Sequence, residues 1–138
     1  MTQKEIFAFI DARKTAFIGS VDEDGFPNIK AMLAPRERDG ADFYFTTNTS
    51  SLRVKQYQND PKASIYFYHR GRFRYVGVML KGTMRVLTDQ ETKERIWRTG
   101  DTLFYKKGVT DPDYCVLRFT AESGRVYRDL KTESFTIE

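Results

Sequence analysis

Residues 43–53 read FYFTTNTSSLR and join a β-rich run to a run of hydroxyl side chains that ends in an arginine. The first five residues favour a strand, because aromatic and β-branched side chains fit a pleated, half-buried surface. Residues 48–51 then supply N-cap candidates for a short helix through about Gln58, which the NDP at residues 59–61 stops. The stretch therefore predicts a strand that passes directly into a short helix.

Similar strand patterns lie on both sides of this stretch. Residues 15–21 and 28–33 are separated by the turn signal DEDG, which predicts a hairpin. Because side chains alternate along a strand, the second of these strands has two faces, one with Ile29, Ala31 and Leu33 and the other with Asn28, Lys30 and Met32. Further strands are predicted at residues 63–68, 74–87, 114–120 and 125–128, the last two joined by a turn at 121–124.

Six or seven antiparallel strands linked by hairpins, with a few short helices, are typical of a mainly β fold of the barrel type and not of an alternating βαβ fold. The helices are expected at residues 3–13, where Thr2 and Glu5 fit a capping box, and at residues 88–98. The chain contains no internal repeat, low-complexity tract or linker. We therefore predict a single domain over residues 1–138.

The composition is that of a globular protein, with 40% hydrophobic and 30% charged residues. A net charge of +4 permits an anionic partner, although 19 acidic residues dilute that signal. No apolar run approaches the roughly 18 residues that would span a membrane, and no secretory signal opens the chain. We expect a soluble, cytoplasmic protein that does not bind membranes.

Catalysis by side chains alone is poorly supported. The chain has one histidine and one cysteine, which cannot build the usual zinc site, and it lacks a nucleophile elbow and a phosphate-binding P-loop. His69 is expected in a solvated loop, and Cys115 as a buried, inert thiol. Asp111 and Asp113 flank a proline and indicate a turn more simply than a cation site. We expect no metal, and any redox chemistry would come from a cofactor.

An anion site is indicated where the strand at 43–47 gives way to the helix. Free backbone N–H groups, hydroxyls and the guanidinium of Arg53 converge there, and Ser51 lies two residues before the arginine. A charge-assisted hydrogen bond contributes about 1.5–3 kcal/mol, against about 0.3–1 kcal/mol for an exposed helix end, so Arg53 should dominate. Lys30 could reach the same anion. From these residues alone, Ser50 as a plain cap and Arg53 as a solvated side chain stay open as the alternative.

The order of four segments adds a resemblance to this local pattern. The segments FPNIKAM at 26–32, FYFTTN at 43–48, Ser51-x-Arg53 and NDP-x-Ala at 59–63 together resemble the pyridoxamine 5′-phosphate oxidase-like superfamily of FMN-binding split barrels, in particular its short, general-stress-protein-like members. The resemblance covers nearly the whole chain. It implies a split barrel, an FMN cofactor at a homodimer interface, and oxidoreductase activity on an unidentified small molecule with an electron donor such as NAD(P)H.

The resemblance also implies roles for particular residues. It implies that Ser51 and Arg53 form the phosphate clamp. It also implies a set of residues that line the flavin, with Thr46 and Thr47 beside the ring or the ribityl chain; the others are Lys30, Ala31, Met32, Leu33 and Tyr75. From the second subunit, Trp97 or Tyr127 are the candidates that close the site. The commoner basic pair of the clamp is reduced here to one arginine, since Leu52 occupies the other position.

Two departures concern the substrate. The true pyridoxamine phosphate oxidases carry a lysine where this chain has Pro35, and an Arg/His motif near the C-terminus, whereas this chain has no histidine after His69. A phosphorylated pyridoxamine therefore lacks an evident anchor, and we expect a different substrate.

Two other classes of function remain open. The first is a non-catalytic carrier or sensor of flavin or haem, with a deazaflavin in place of FMN as a related variant. The second is a nucleic-acid-binding barrel that uses residues 69–75, HRGRFRY, because arginines interleaved with aromatic side chains can contact phosphates and stack on bases. A solvated hairpin loop explains the same tract more simply, so nucleic acid is not the expected partner.

Overall fold

Eight antiparallel strands form one sheet in the order β2-β1-β5-β6-β7-β4-β3, with β8 beside β7. The computed structural model describes all residues from 1 to 138. The strands are β1 Thr15–Val21, β2 Pro27–Leu33, β3 Glu37–Asp39, β4 Asp42–Asn48, β5 Lys62–Arg70, β6 Tyr75–Leu87, β7 Tyr114–Arg128 and β8 Lys131–Thr136. The helices are α1 Gln3–Asp11, α2 Leu52–Asn59 and α3 Gln90–Ile96, and short 3₁₀ turns lie at Asp101–Leu103 and Gly108–Thr110.

The sheet curls around a core but does not close. Strand β2 is one end of the hydrogen-bonded order, and β4 pairs on its outer side only with the short β3, over residues 42–44. Residues 45–48 of β4 therefore present a free edge, as does β2 on the side away from β1. The mainly β, antiparallel split-barrel fold predicted from the sequence is confirmed, with the split between β2 and β4.

The core follows from alternation along the strands. Every second residue of β4, β5 and β7 points inward, and α1 adds Ile6 and Ile10 from one side. Phe43 is the centre of this cluster, because its ring lies 6.1–6.3 Å from the rings of Phe7, Phe67 and Phe119. The burial of these large side chains is the main force that curls the sheet.

The predicted turn at residues 121–124 is wrong. Strand β7 runs unbroken through this segment for 15 residues. The small and polar residues there form a β-bulge instead, since the register with β6 shifts between Lys81 and Gly82 and leaves Glu122 unpaired. A bulge and a turn use the same residue types, and only the pairing with β6 distinguishes them.

Two strands were not counted in the sequence prediction of six or seven. Strand β3 consists of three charged residues, which are too few to show an alternation of apolar and polar side chains. Strand β8 belongs to the polar C-terminal segment, and a tight turn at Asp129 and Leu130, both with positive φ, folds it back on β7.

The helix predictions hold with small shifts at the ends. The capping box is confirmed, since the Glu5 amide donates to the Thr2 hydroxyl at 3.2 Å and the Thr2 amide donates to the Glu5 carboxylate at 2.9 Å. Helix α1 ends at Asp11, two residues early, and Arg13 instead donates from Nε to the Phe9 carbonyl. No helix is long and apolar enough to cross a membrane.

Gly82 allows β6 and β7 to approach each other at the bulge. A Cβ at this position would lie 1.9 Å from the carbonyl oxygen of Thr120, which is backbone and cannot rotate away. We expect Gly82→Ala to lower the free energy of unfolding by about 1–3 kcal/mol, measured by urea denaturation. Gly71→Ala is the matched control, because its nearest contact would be 3.4 Å away. Equal stability of the two variants would contradict the close approach.

Candidate functional site

Two adjoining hollows lie at the split between β2 and β4. The first, called here the split groove, has a volume of about 370 Å³ and is lined by the facing edges of β2 and β4 with Phe104 and Tyr105 at one end. The second, called the α2 hollow, has a volume of about 530 Å³ and lies at the start of α2. Lys30, Asn48 and Arg53 line both, so the two hollows form one continuous site.

Eight of the eleven residues predicted from the sequence line this site. The split groove contains Ala31, Met32, Leu33, Thr46 and Thr47, the α2 hollow contains Ser51, and both contain Lys30 and Arg53. The register with β1 confirms the two faces of β2, since Ala31 is opposite Phe17 on the outer face and Lys30 is opposite Ile18 on the inner face. The predicted set is thus brought together at the free edges of β2 and β4 and at the start of α2.

The walls of the split groove carry backbone groups without strand partners. The free edge of β4 at residues 45–48 and the free edge of β2 each expose N–H and C=O groups. Such groups need water or a ligand to complete their hydrogen bonds. A flat molecule with donors and acceptors along its rim would satisfy both edges at once.

The α2 hollow contains two buried polar atoms that have no hydrogen-bond partner, Ser51 Oγ and Arg53 Nε. Ser51 is the N-cap of α2, yet its hydroxyl makes no capping hydrogen bond. Arg53 is partly buried, and its Nη2 donates to Thr47 Oγ1 at 3.0 Å. The alternative of a plain cap at Ser50 and a solvated arginine is therefore wrong for this chain. The orphaned hydroxyl and guanidinium nitrogen, with the first amides of α2, suit a bound oxyanion.

Asp113 holds the turn before α2, a role that sequence reasoning missed. Its carboxylate accepts from the Ser50 amide and from Asn48 Nδ2, both at 2.9 Å, and its carbonyl accepts from the Thr49 amide at 2.8 Å. The hydrogen bond from Asn48 and those from Ser50 lower the pKa of this carboxyl. The residues are more than 60 positions apart, so no local pattern could have revealed the contact.

The far end of the split groove is held by a buried ion pair. Arg36 binds Asp101 through two hydrogen bonds of 2.8 and 2.7 Å, and the Arg98 amide donates to the same carboxylate at 2.8 Å. Tyr105, four residues after Asp101, is buried beside the groove, and this burial raises its pKa. Arg36, Phe104 and Tyr105 were not predicted as site residues, because they come from loops with no strand or helix pattern.

The three remaining predicted residues do not line the site of their own chain. Tyr75 and Tyr127 lie on the outer face of the sheet, where rings of Tyr66 and Tyr68 join them in one cluster. Trp97 packs against Tyr105 and Tyr114 behind the groove wall. A role for Trp97 or Tyr127 through a second subunit stays a prediction, as does a flavin contact for Tyr75.

The other candidates have simple structural roles. Cys115 is fully buried, and burial raises the pKa of its thiol, as expected of an inert cysteine. His69 is exposed at the end of β5, not in the loop that was predicted. The turn interpretation of Asp111 is confirmed, since its carboxylate accepts from the amides of Asp113 and Lys107. The tract at 69–75 forms the exposed tip of the β5–β6 hairpin, and nucleic-acid binding by it stays a prediction.

Comparison with known proteins agrees with this architecture. A solved structure from Clostridium acetobutylicum, described as related to general stress protein 26 of the pyridoxinephosphate oxidase family, is 38% identical, with a TM-score of 0.85 over 97% of this chain and 93% of that one. A haem-binding protein from Mycobacterium smegmatis shares the fold at 14% identity, with a TM-score of 0.71 over 93% of this chain and 55% of that one.

The curated relatives are longer enzymes. A pyridoxine/pyridoxamine 5′-phosphate oxidase from Caulobacter vibrioides is 31% identical over 74 residues, which are 54% of this chain and 32% of that protein. The chain thus matches about a third of the length of such relatives. The family described as pyridoxamine 5′-phosphate oxidase matches residues 2–128, nearly the whole chain. On this match and on the split barrel, the chain belongs to the pyridoxamine 5′-phosphate oxidase family.

Proposed function

We propose that the protein is a homodimeric oxidoreductase that binds FMN in the split groove with its phosphate in the α2 hollow. The observation that carries the proposal is the pair of orphaned buried atoms, Ser51 Oγ and Arg53 Nε, at the end of a groove with two unpaired strand edges. FMN has the matching parts, a terminal phosphate and a flat ring with polar atoms along one side. Bound flavin supplies reversible electron transfer with a small molecule.

The residues of the site have distinct tasks in this proposal. Ser51, Arg53 and the first amides of α2 hold the phosphate. The free edge of β2 from Lys30 to Leu33 meets the polar side of the ring, and Thr46 and Thr47 lie along the opposite wall. Lys30 and Arg53 place positive charge next to the ring site, which favours negative charge that develops there during reaction. We place the reaction in the cytoplasm, with NAD(P)H as the expected donor.

A second copy of the chain is the proposed partner on the outer face of the sheet. Apolar side chains are exposed there along β2, with Ile29 at 79% and Leu33 at 74%, and the tyrosine cluster continues the surface with Tyr68 at 44%. Exposed apolar surface of this kind marks an interaction site. Because β2 borders both this face and the split groove, a partner on the face would also close the groove.

The direct test is the identity of the chromophore. The purified protein should be yellow and should release FMN on denaturation. Apoprotein should bind FMN more tightly than riboflavin, because only FMN reaches the α2 hollow. A haem or deazaflavin spectrum, or equal affinity for FMN and riboflavin, would contradict the proposal. Rapid reduction by NAD(P)H with turnover of an acceptor separates an enzyme from a carrier or sensor.

Ser51→Ala separates the phosphate role from a capping role. An N-cap substitution normally costs about 1 kcal/mol of stability. Here the hydroxyl makes no capping bond, so we expect unchanged stability of the apoprotein and an FMN affinity about 2- to 10-fold weaker, the value of one hydrogen bond. Urea denaturation and fluorescence titration measure the two effects. Loss of stability with unchanged affinity would reverse the assignment.

Tyr68→Asp tests the proposed interface. The side chain is partly exposed and stacks between Tyr66 and Tyr75 on the outer face, so a carboxylate would be buried against a partner without a counter-charge. We expect the variant to sediment as a monomer while the wild type sediments as a dimer. Lys55→Asp on exposed α2 makes a larger charge change in the same direction, away from this face, and should remain dimeric. A monomeric wild type would end the interface proposal.

A further inference from the structure

Two arginines face each other on the outer surface of the second half of the sheet. Arg85 of β6 is directly opposite Arg118 of β7 in the antiparallel register. Side chains at such positions project from the same face with Cβ atoms about 5 Å apart, and like charges directly opposite are destabilising. Two guanidinium groups in this arrangement repel each other, and an anion bound between them would offset that repulsion.

No carboxylate forms an ion pair with either arginine, although the charge of Arg118, after the hydrogen bonds from Thr92, helps to lower the pKa of the Asp89 carboxyl. The salt bridges of the chain involve Arg36, Arg38 and Arg95, together with the N-terminal amine, and none includes Arg85 or Arg118. The carboxylates nearest in the strand register are engaged elsewhere. Asp42 accepts from the Thr120 hydroxyl at 2.7 Å, Asp89 caps α3 through the Thr92 amide and hydroxyl, and Glu37 pairs with Arg95.

Arg118 also carries an unsatisfied hydrogen-bond donor. Its Nε is buried and has no hydrogen-bond partner. Leaving a buried donor unsatisfied is costly, and the cost is greater for a charged group. On the other side Arg118 is opposite Tyr44 of β4, a buried side chain covered by the guanidinium of Arg95 at 4.6 Å. Arg118 therefore has the covered ring of Tyr44 on one side and the exposed side chain of Arg85 on the other.

We propose that Arg85 and Arg118 form a second anion site, which binds the oxyanion group of a small solute, a phosphate or a carboxylate. Guanidinium groups bind both in a bidentate manner and are weakly hydrated, so they suit partly buried positions. Neither residue lines the split groove or the α2 hollow. The site is therefore separate from the proposed FMN site and does not depend on it.

The test is a thermal melt of FMN-saturated protein in inorganic phosphate, against sodium chloride of equal ionic strength. Phosphate should raise the melting temperature of the wild type by about 4–6 °C at a concentration near ten times its dissociation constant. Arg85→Gln and Arg118→Gln should lose at least two thirds of this shift. Succinate in place of phosphate tests whether the site binds a carboxylate. A rise in melting temperature with either solute, lost in both variants, supports the site.

The direction in which Arg85→Gln changes the melting temperature in chloride distinguishes an anion site from a structural role of the arginine. In chloride, Arg85→Gln should melt at the same temperature as the wild type or higher, because it removes the repulsion between the two charges. A lower melting temperature in chloride, with the phosphate shift retained, would overturn the proposal. Arg70→Gln, an exposed arginine without an ion pair, is the matched control and should keep the shift.

A third variant separates this site from the α2 hollow. In Arg53→Ala the phosphate shift through Arg85 and Arg118 should persist, whether or not the protein binds FMN. Disappearance of the shift in Arg53→Ala would assign all phosphate binding to the α2 hollow and refute the second site. The same melts without FMN keep this inference testable if the proposed function fails.

Discussion

Replacement of Arg53 by alanine should weaken FMN binding about 10- to 150-fold, the value of a charge-assisted hydrogen bond of about 1.5–3 kcal/mol. The guanidinium Nε is buried and unpartnered, and Arg53 lines the α2 hollow together with Ser51, whose hydroxyl is also unpartnered. A terminal phosphate would occupy both groups. Because the wild-type apoprotein already carries the cost of the orphaned Nε, the substitution should change apoprotein stability by less than about 1 kcal/mol.

A comparison with riboflavin, which lacks the phosphate of FMN, tests whether Arg53 acts on the phosphate. If Arg53 acts on the phosphate, Arg53→Ala should reduce the preference for FMN over riboflavin and leave riboflavin affinity nearly unchanged. Lys55→Ala is the matched control, because it removes the same charge from an exposed position on the same helix. An equal loss of FMN and riboflavin affinity would mean that Arg53 supports the fold of the groove and not the phosphate. Unchanged FMN affinity would remove Arg53 from the site.

The sequence predicted the strands that line the site because their patterns are local. The alternation of β2 placed Lys30 and Met32 on one face, and the run from Phe43 to Thr47 placed a strand directly before α2. What it could not predict is which strands pair. The bulge at residues 121–124 has the residue types of a turn, and only the pairing with β6 shows that it is a bulge. Strand β8 shows no apolar alternation because every residue in it except Phe135 is exposed.

The parts of the site that were missed are those held by contacts distant in the chain. Asp113 and Arg36 act through partners more than 60 residues away, and no spacing rule connects them. Local pattern also left the role of Ser51 ambiguous, since the same serine can cap a helix or bind an anion. Only the absence of a capping bond in the folded chain separates the two.

The second large effect concerns the ion pair at the far end of the groove. Arg36 is 13% exposed and Asp101 is 5% exposed, and two hydrogen bonds join them. Asp101→Ala would leave the Arg36 guanidinium in a poorly hydrated position without a partner. Removal of one member of a buried pair costs about 3–5 kcal/mol, and we expect about 3 kcal/mol because Arg36 retains some contact with solvent. Urea denaturation at pH 7 measures the loss, with Glu23→Gln, an exposed carboxylate in a turn, as control.

A rescue experiment separates the lost charge pair from lost packing. Arg36→Met combined with Asp101→Leu removes both charges and keeps apolar volume, so the double variant should recover most of the stability that Asp101→Ala loses. If the double variant is as unstable as the single one, the loss comes from the loop contacts of Asp101, such as the Arg98 amide, and not from the uncompensated arginine.

The pH dependence of the Asp101 effect has a definite sign. Burial acts to raise the pKa of the Asp101 carboxyl, but the hydrogen bonds from Arg36 and the Arg98 amide outweigh it, so the pKa is lowered. A carboxyl with a lowered pKa stabilises the fold above its unfolded pKa of about 3.9 and loses that contribution as pH falls through the folded value. The stability difference between wild type and Asp101→Asn should therefore be full at pH 6–7 and shrink below about pH 4. A difference that is constant down to pH 2.5, or one that grows in acid, would show that the Arg36–Asp101 charge pair is not its cause.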